Sequence, residues 1–183
     1  PAASGVFLEG VLALFAPVMI LVSAWMLSST LDALGAAAVI SELLGGRLPV
    51  ALLPVSVFLV GALTSFTTGT SWGTMGILMP LAIPVAFSLG GPGTGADLMP
   101  AIVAAVFSGA VFGDHCSPIS DTTVVSSIAC GVEPHEHVKT QIPYALLAGG
   151  AAALGGFLPV GLGLPAVAGW GLGLALLAGA LFL

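Results

Sequence analysis

The feature that most constrains this chain is a series of uninterrupted apolar stretches. Each is roughly 17 to 22 residues long, which is the length that a helix needs to cross the hydrocarbon core of a bilayer. Backbone polar groups inside a bilayer must be hydrogen-bonded within the protein, so only helices and closed barrels can span it. A barrel would show shorter segments that alternate between polar and apolar side chains. The sequence therefore predicts an all-α, polytopic transmembrane helical bundle.

The scarcity of charge supports this fold class. Only 5 % of the 183 residues are charged and 58 % are hydrophobic, whereas a soluble domain carries about a quarter charged residues. Arg47 and Lys139 are the only basic residues, which excludes nucleic acid as a partner, because affinity for phosphates depends on several basic contacts. The two cysteines indicate no disulfide framework.

The order of apolar and polar stretches predicts the arrangement of the helices. The chain begins without an initiator Met or a basic signal-peptide region, so we expect residues 1–183 to form a single transmembrane domain, the C-terminal part of a longer protein. Apolar helices are predicted at 10–31, 48–63, 75–89, 98–112, 142–160 and 165–183, and short helices at 35–44 and 124–130. A glycine-rich loop is predicted at 90–93 and a hydrophilic loop at 131–140.

A first polar break, residues 64–74, contains seven Ser or Thr side chains and two glycines. The spacing of Gly69 and Gly73 would also suit ordinary helix packing. However, glycine and hydroxyl side chains are unfavourable in a helix interior, and their density favours a segment that leaves the helix and offers oxygens to a ligand. The candidate ligands in this break are Thr68, Gly69, Thr70 and Ser71.

A second polar break, residues 113–123, places a proline between two carboxylates. Pro118 cannot continue a helix and forces the preceding residue towards extended geometry. We therefore expect the helix from 98 to end near Gly113 or Asp114, and a second helix to begin with Ser117 as N-cap and Pro118 at its first position. An idle surface loop is the alternative.

The chemistry of the second break predicts a small hard cation as ligand. Ionisable side chains inside a membrane are costly and indicate a functional site by default, and Na+ prefers oxygen ligands. The predicted Na+ ligands are Asp114 and Asp121, with Ser117 and Ser120 in support and His115 as a modulating neighbour of Asp114. Asp32 is either a third intramembrane carboxylate or the interfacial end of the first helix.

Several motifs together resemble the NhaC-type Na+/H+ antiporter family. They are Gly-Asp-His-Cys-Ser-Pro-Ile-Ser-Asp-Thr-Thr at 113–123, Thr-Gly-Thr-Ser-Trp-Gly-Thr at 68–74, Met-Pro at 79–80, Ile-Pro at 83–84 and Thr-Gln-Ile-Pro-Tyr-Ala at 140–145. The resemblance runs in matching order from about Trp25 to Gly163. It implies a secondary transporter of the ion-transporter superfamily, built from inverted repeats whose broken helices meet near the midplane, with one repeat outside this chain.

The resemblance also sets expectations for partners and location. It implies a multi-pass protein of a bacterial or archaeal cell membrane, whose partners are the lipid bilayer and the N-terminal half of the same transporter, with a homodimer left open. We expect no cofactor apart from the transported Na+ and H+. The superfamily favours a re-entrant hairpin over a spanning topology for 48–89, with its arms meeting at Gly69.

Three functions are compatible with these residues. The first is Na+/H+ antiport, in which one carboxylate binds Na+ when ionised and a proton when Na+ leaves; no covalent chemistry is needed, so no enzyme is expected. The second is a Na+- or H+-coupled exchanger of organic anions such as malate and lactate, with the anion at 64–74. The third is an intramembrane aspartyl protease using Asp114 and Asp121, although the first glycine of the Gly-x-Gly-Asp motif is absent.

Overall fold

The computed structural model describes residues 3–35, 39, 42 and 48–182. Its helices are α1 (Ala3–Ala33), α2 (Leu53–Thr68, preceded by a 3-10 turn at Val50–Leu52), α3 (Ser71–Cys116), α4 (Asp121–Cys130), α5 (Pro134–Ala151), α6 (Leu158–Gly161, joined to α5 by a π-helical turn at Ala152–Phe157) and α7 (Ala166–Leu181). No strand occurs in this part of the chain, which confirms the predicted all-α fold. Arg47 and most of the short helix predicted at 35–44 lie outside the described residues.

Helix α3 consists of two limbs, 71–90 and 92–116, which fold back on each other at Gly91. Gly91 has φ 68° and ψ −177°, a backbone conformation that only glycine adopts without cost. The limbs touch beside this turn, since a Cβ placed on Gly95 would lie 2.9 Å from Phe87 Cα. The chain does reverse within 90–93, but the loop predicted there is wrong, because the reversal takes place at the single non-helical residue Gly91.

Helix α2 runs parallel to the second limb of α3 and packs directly against its backbone. Gly109 faces the Phe58 carbonyl, and Gly113, one turn later, faces the Ala62 carbonyl, one turn later in α2. A Cβ on either glycine would collide with the α2 backbone. These small residues therefore allow two helices to approach closely, the usual device of packed transmembrane helices.

The first limb of α3 returns antiparallel to α2, so that α2 and the two limbs form a three-helix unit. A cluster of buried apolar side chains fills the half of this unit nearest Gly91: Leu53, Ala82, Val85, Ala86, Leu98, Ile102 and Val106. The opposite half of the unit contains the two polar breaks. The fold thus separates an apolar half from a polar half along the same three helices.

Among the described residues, three helical segments are long and apolar enough to cross a membrane: Val50–Thr68, Ser71–Cys116 and Pro134–Gly161. The last of these overturns the loop predicted at 131–140, because α5 already begins at Pro134. Proline at the first position of a helix is preorganised for it, and Val138 packs inside with 5 % of its surface exposed. Glu136 and Lys139 thus lie on the first turns of a helix, and Glu133 immediately precedes it.

Candidate functional site

The first break is a two-residue turn at Gly69 and Thr70. Gly69 has φ 67°, and the extended backbone of Thr70 starts α3, where its hydroxyl accepts a hydrogen bond from Gly73 N (3.4 Å). The prediction that 64–74 leaves the helix as a whole is wrong. The hydroxyls of Thr67 and Thr68 donate to the Thr64 carbonyl (2.9 Å each), so these side chains are satisfied by their own helix and do not unwind it.

The second break comprises residues 117–120. Helix α3 continues through Asp114 to Cys116, and Ser117 has the extended geometry (φ −80°, ψ 128°) expected before a proline. The predicted end at Gly113 or Asp114 is therefore wrong, because the helix continues as far as Pro118 allows. The predicted N-cap at Ser117 is also wrong: α4 begins at Asp121.

The two breaks contact each other, as the polar character of both predicts. Ser117 Oγ donates to the Phe66 carbonyl (2.8 Å) in the last turn of α2. A Cβ placed on Gly69 would lie 2.9 Å from the Ile119 carbonyl oxygen. The expectation that 64–74 and 113–123 approach each other is confirmed by these contacts.

Asp114 is the central group of the second break. It lies in the last turn of α3 with 6 % of its surface exposed. Ser120 Oγ donates to its Oδ1 (2.8 Å), and Thr122 Oγ1 donates to its Oδ2 (3.2 Å). The two hydroxyl oxygens are themselves 2.7 Å apart, so four oxygen atoms from both sides of the break form one compact cluster.

Asp121 has a different environment, although it belongs to the same motif. It is the first residue of α4 and is exposed, and its Oδ1 accepts a hydrogen bond from the backbone N–H of Thr122 (2.8 Å). A carboxylate at this position is stabilised by the partial positive charge of the helix N-terminus. The two carboxylates are thus both helical, with the break between them, and the expected unwound stretch holding both is wrong.

The remaining predicted site residues divide between the breaks. Ser120 touches Asp114, whereas Ser117 bonds to α2. Thr68, Gly69, Thr70 and Ser71 lie at the turn between α2 and α3, where Thr68 Oγ1 is 3.5 Å from Thr74 Oγ1. Asp32 lies near the end of α1.

His115 points away from the Asp114 cluster. It is exposed and lines a crevice of about 540 Å³ between α3 and α5, together with Phe58, Phe107, Ser108, Val111, Phe112, Ala148 and Gly149. Its carbonyl accepts a hydrogen bond from Gln141 Nε2 (2.9 Å), which connects α5 to the last turn of α3. Within the described part of the chain, no hydrogen bond joins the His115 side chain to Asp114.

Three polar residues of the site were not singled out from the sequence. Thr122 belongs to the motif and contacts Asp114. Ser65 Oγ and Gln141 Oε1 are buried and find no hydrogen-bond partner in the part of the chain that the structure describes. The position of Thr122, two residues after Ser120, could have indicated its role, because this spacing places both hydroxyls close to the start of α4. Ser65 is one of seven similar side chains in 64–74, and the burial of Gln141 depends on the packing of α5, which the sequence does not indicate.

Comparisons with known proteins give a consistent result. A profile of the Na+/H+ antiporter family matches residues 2–158. An uncharacterized protein of Haemophilus influenzae is 36 % identical over 164 residues, which cover 90 % of this chain and 30 % of that protein. The Na+/H+ antiporter NhaC of Alkalihalophilus pseudofirmus is 32 % identical over 130 residues (69 % and 25 %). The malate-2H+/Na+-lactate antiporter of Bacillus subtilis is 35 % identical over 88 residues (48 % and 18 %).

The chain spans less than a third of the length of each of these relatives. No solved structure matches it. The NhaC-type resemblance of the motifs is confirmed by the family match and by the NhaC relative. Together with the apolar helices, these matches identify a membrane protein of a transporter family.

Proposed function

Because the chain belongs to the Na+/H+ antiporter family, we propose that the full-length protein exchanges Na+ for H+ across the cell membrane and that Asp114 binds the two ions in turn. The observation that carries this proposal is the burial of Asp114 among the hydroxyls of Ser120 and Thr122. Antiport needs one site that two cations share. A buried carboxylate with neutral oxygen ligands is such a site, and no covalent step is involved.

The cluster of Asp114, Ser120 and Thr122 has one fewer hydroxyl proton than it has close oxygen pairs, which supports both a protonated and an ionised state of Asp114. The oxygens of Asp114, Ser120 and Thr122 make three close pairs, but the two hydroxyls bring only two protons. A proton on Asp114 supplies the third and closes a ring of hydrogen bonds. When that proton leaves, the hydroxyl lone pairs and the carboxylate are free to turn towards Na+.

This exchange makes Na+ and H+ competitors for one set of oxygens. A proton removes the negative charge that attracts Na+, and bound Na+ favours the ionised carboxylate, so each ion expels the other. The neutral, protonated cluster is also the form that costs least in a low-dielectric environment. The second carboxylate, Asp121, is exposed and accepts a hydrogen bond from the backbone N–H of Thr122, and we assign it a supporting role at the start of α4.

The test is Na+-dependent pH recovery in everted vesicles that contain the full-length protein at matched levels. Asp114→Asn keeps the size of the side chain but removes its charge and its proton site, so we expect exchange to be lost. Asp97→Asn is the matched control, since Asp97 is an exposed carboxylate of the same helix, and should exchange normally. Full activity of the Asp114→Asn protein would refute the proposal.

A second candidate, coupled exchange of organic anions, is favoured by one observation: the Bacillus subtilis relative is named a malate-2H+/Na+-lactate antiporter. Against it, the described residues place no Lys or Arg beside either break. Lys139 lies on the exposed start of α5, 3.9 Å from Glu136. Uptake of radiolabelled malate driven by a Na+ gradient would support this candidate, and uptake equal to that of empty vesicles would exclude malate as cargo.

A further inference from the structure

Ser65 is an unusual hydroxyl in this structure. Its side chain is fully buried, with 0 % exposed, and its Oγ has no hydrogen-bond partner among the described residues. Six other helical hydroxyls donate to the carbonyl four residues earlier: Thr30, Thr67, Thr68, Thr74, Ser127 and Thr140. Buried polar groups are nearly always paired, so an unpaired one calls for a ligand or a role.

The register of the helices shows what Ser65 faces. Ser65 lies one turn after Gly61, on the same face of α2. At Gly61, a Cβ would lie 3.4 Å from both Ala110 N and Leu78 Cδ1. Since α2 and the second limb of α3 run parallel, one turn further along both helices brings Ser65 to the level of Asp114.

Asp114 faces the same interior. Four residues at helical spacing form the most buried stripe of the second limb: Ile102, Val106 and Ala110 are each 0 % exposed, and Asp114 follows at 6 %. On the first limb, which runs antiparallel, one turn beyond Leu78 is Thr74, which is 1 % exposed. Ser65, Thr74 and Asp114 therefore occupy one polar layer between three helices.

We propose that Ser65 is an ion ligand, whose hydroxyl oxygen completes, from α2, the oxygen set of Asp114, Ser120 and Thr122. The inference rests on the proposed function and adds to it a ligand from the first break. The site would then be held by both breaks, which meet at the contacts of Gly69 with Ile119 and of Ser117 with Phe66.

The same oxygen set indicates the class of cation. It combines one carboxylate with neutral hydroxyls, whereas Ca2+ sites gather six to eight oxygens with several carboxylates. The described residues contain no group of three His, Cys, Asp or Glu side chains that could hold a metal ion. A monovalent hard cation therefore fits this layer better than a divalent one.

The test compares Na+ dependence of exchange in the full-length protein with Ser65→Ala, Ser65→Cys and Ser127→Ala. Alanine removes the oxygen, and cysteine keeps the volume but replaces a hard ligand with a soft one. We expect both changes at Ser65 to raise the Na+ concentration for half-maximal exchange by about threefold to tenfold, with the maximal rate retained. Ser127→Ala deletes an equally buried hydroxyl (1 % exposed) that bonds to the Thr123 carbonyl and should not change Na+ dependence.

A second measurement reports Na+ binding without transport. Na+ should raise the melting temperature of the purified full-length protein, and this rise should shrink in both Ser65 variants but not in Ser127→Ala. Normal Na+ dependence of Ser65→Cys, or an equal shift in Ser127→Ala, would show that packing and not a ligand was lost and would overturn the inference. If Asp114→Asn loses exchange while both Ser65 variants behave as wild type, only the inference fails; if Asp114→Asn exchanges normally, the proposed function fails.

Discussion

The two breaks contain similar side chains but use them differently. At the first break only Gly69 and Thr70 leave the helix, and nearby threonines donate to carbonyls of their own helix. At the second break four residues, 117–120, leave the helix, and the hydroxyls of its last residue, Ser120, and of Thr122 in α4 reach back to Asp114. A high density of hydroxyls is therefore not sufficient to unwind a helix, whereas a proline is.

This difference in contacts indicates a different role for each break. Around the first break, the backbone makes the contacts with the second break, through Gly69 and the Phe66 carbonyl, and Ser65 is the one hydroxyl there that we assign to the ion. The second break provides the charged side chain and its hydroxyl partners. Breaking the backbone contact should therefore cost stability, while removing a hydroxyl from the second break should cost ion affinity.

The largest effect is expected for Gly113→Ala. Its Cβ would collide with the Ala62 carbonyl and lie 2.8 Å from Phe66 N, both on the α2 backbone, so the helices must separate. We expect a destabilisation of about 3 kcal/mol, at the upper end of overpacking costs, seen as a lower melting temperature of the purified protein. Gly150→Ala, a helical glycine with no atom within 4 Å of its Cβ position, is the control and should melt as wild type or higher.

A smaller effect is expected for Gly69→Ala. Alanine at φ +67° costs about 1–2 kcal/mol through its left-handed backbone alone, and here its Cβ would also meet the Ile119 carbonyl. Gly131→Ala, at the left-handed glycine that follows α4 (φ +66°, with Val132 N donating to the Ser127 carbonyl), carries the same kind of backbone cost with no described atom within 4 Å of its Cβ position. The difference between their melting temperatures therefore measures the contact between the breaks, and equal values would mean that this contact adds nothing.

The smallest effect is expected for single hydroxyls. Thr122→Val preserves the shape of the side chain but removes a hydrogen bond to Asp114, so the apparent affinity for Na+ should fall a few-fold, or by about 1 kcal/mol. Thr67→Val makes the same change near the first break, where the hydroxyl bonds only to α2 carbonyls. Vesicle assays at graded Na+ concentrations should separate the two variants, and identical curves would remove the distinction between the breaks.

Much of the fold follows from the sequence by elementary rules. Apolar length predicted the helices, the glycines at 90–93 predicted the fold of α3, and Pro118 predicted a break in 113–123. The wrong predictions concern segments in which another interaction outweighed the local preference of the residues. Threonines in 64–74 found partners in their own helix, and the polar stretch at 131–140 became helical because Pro134 starts a helix whose Val138 is buried.

The candidate site was less predictable than the fold. The sequence does not show which of Asp114 and Asp121 is buried, because both flank the same proline-containing break. Only the packing of α3 against α2 makes one buried and leaves the other exposed. Ser65 could not be distinguished from its neighbours for the same reason, because the face of α2 that meets Asp114 is set by Gly109 and Gly113 in a distant part of the chain.

The most direct test of the central claim is proton release on Na+ binding. The purified full-length protein in weakly buffered detergent solution should release protons when NaCl is added, and not when choline chloride is added at the same ionic strength, because Na+ displaces the proton from Asp114. Asp97→Asn should release as many protons as wild type, and Asp114→Asn should release none. Undiminished release from Asp114→Asn would contradict the claim that this carboxylate is shared by Na+ and H+.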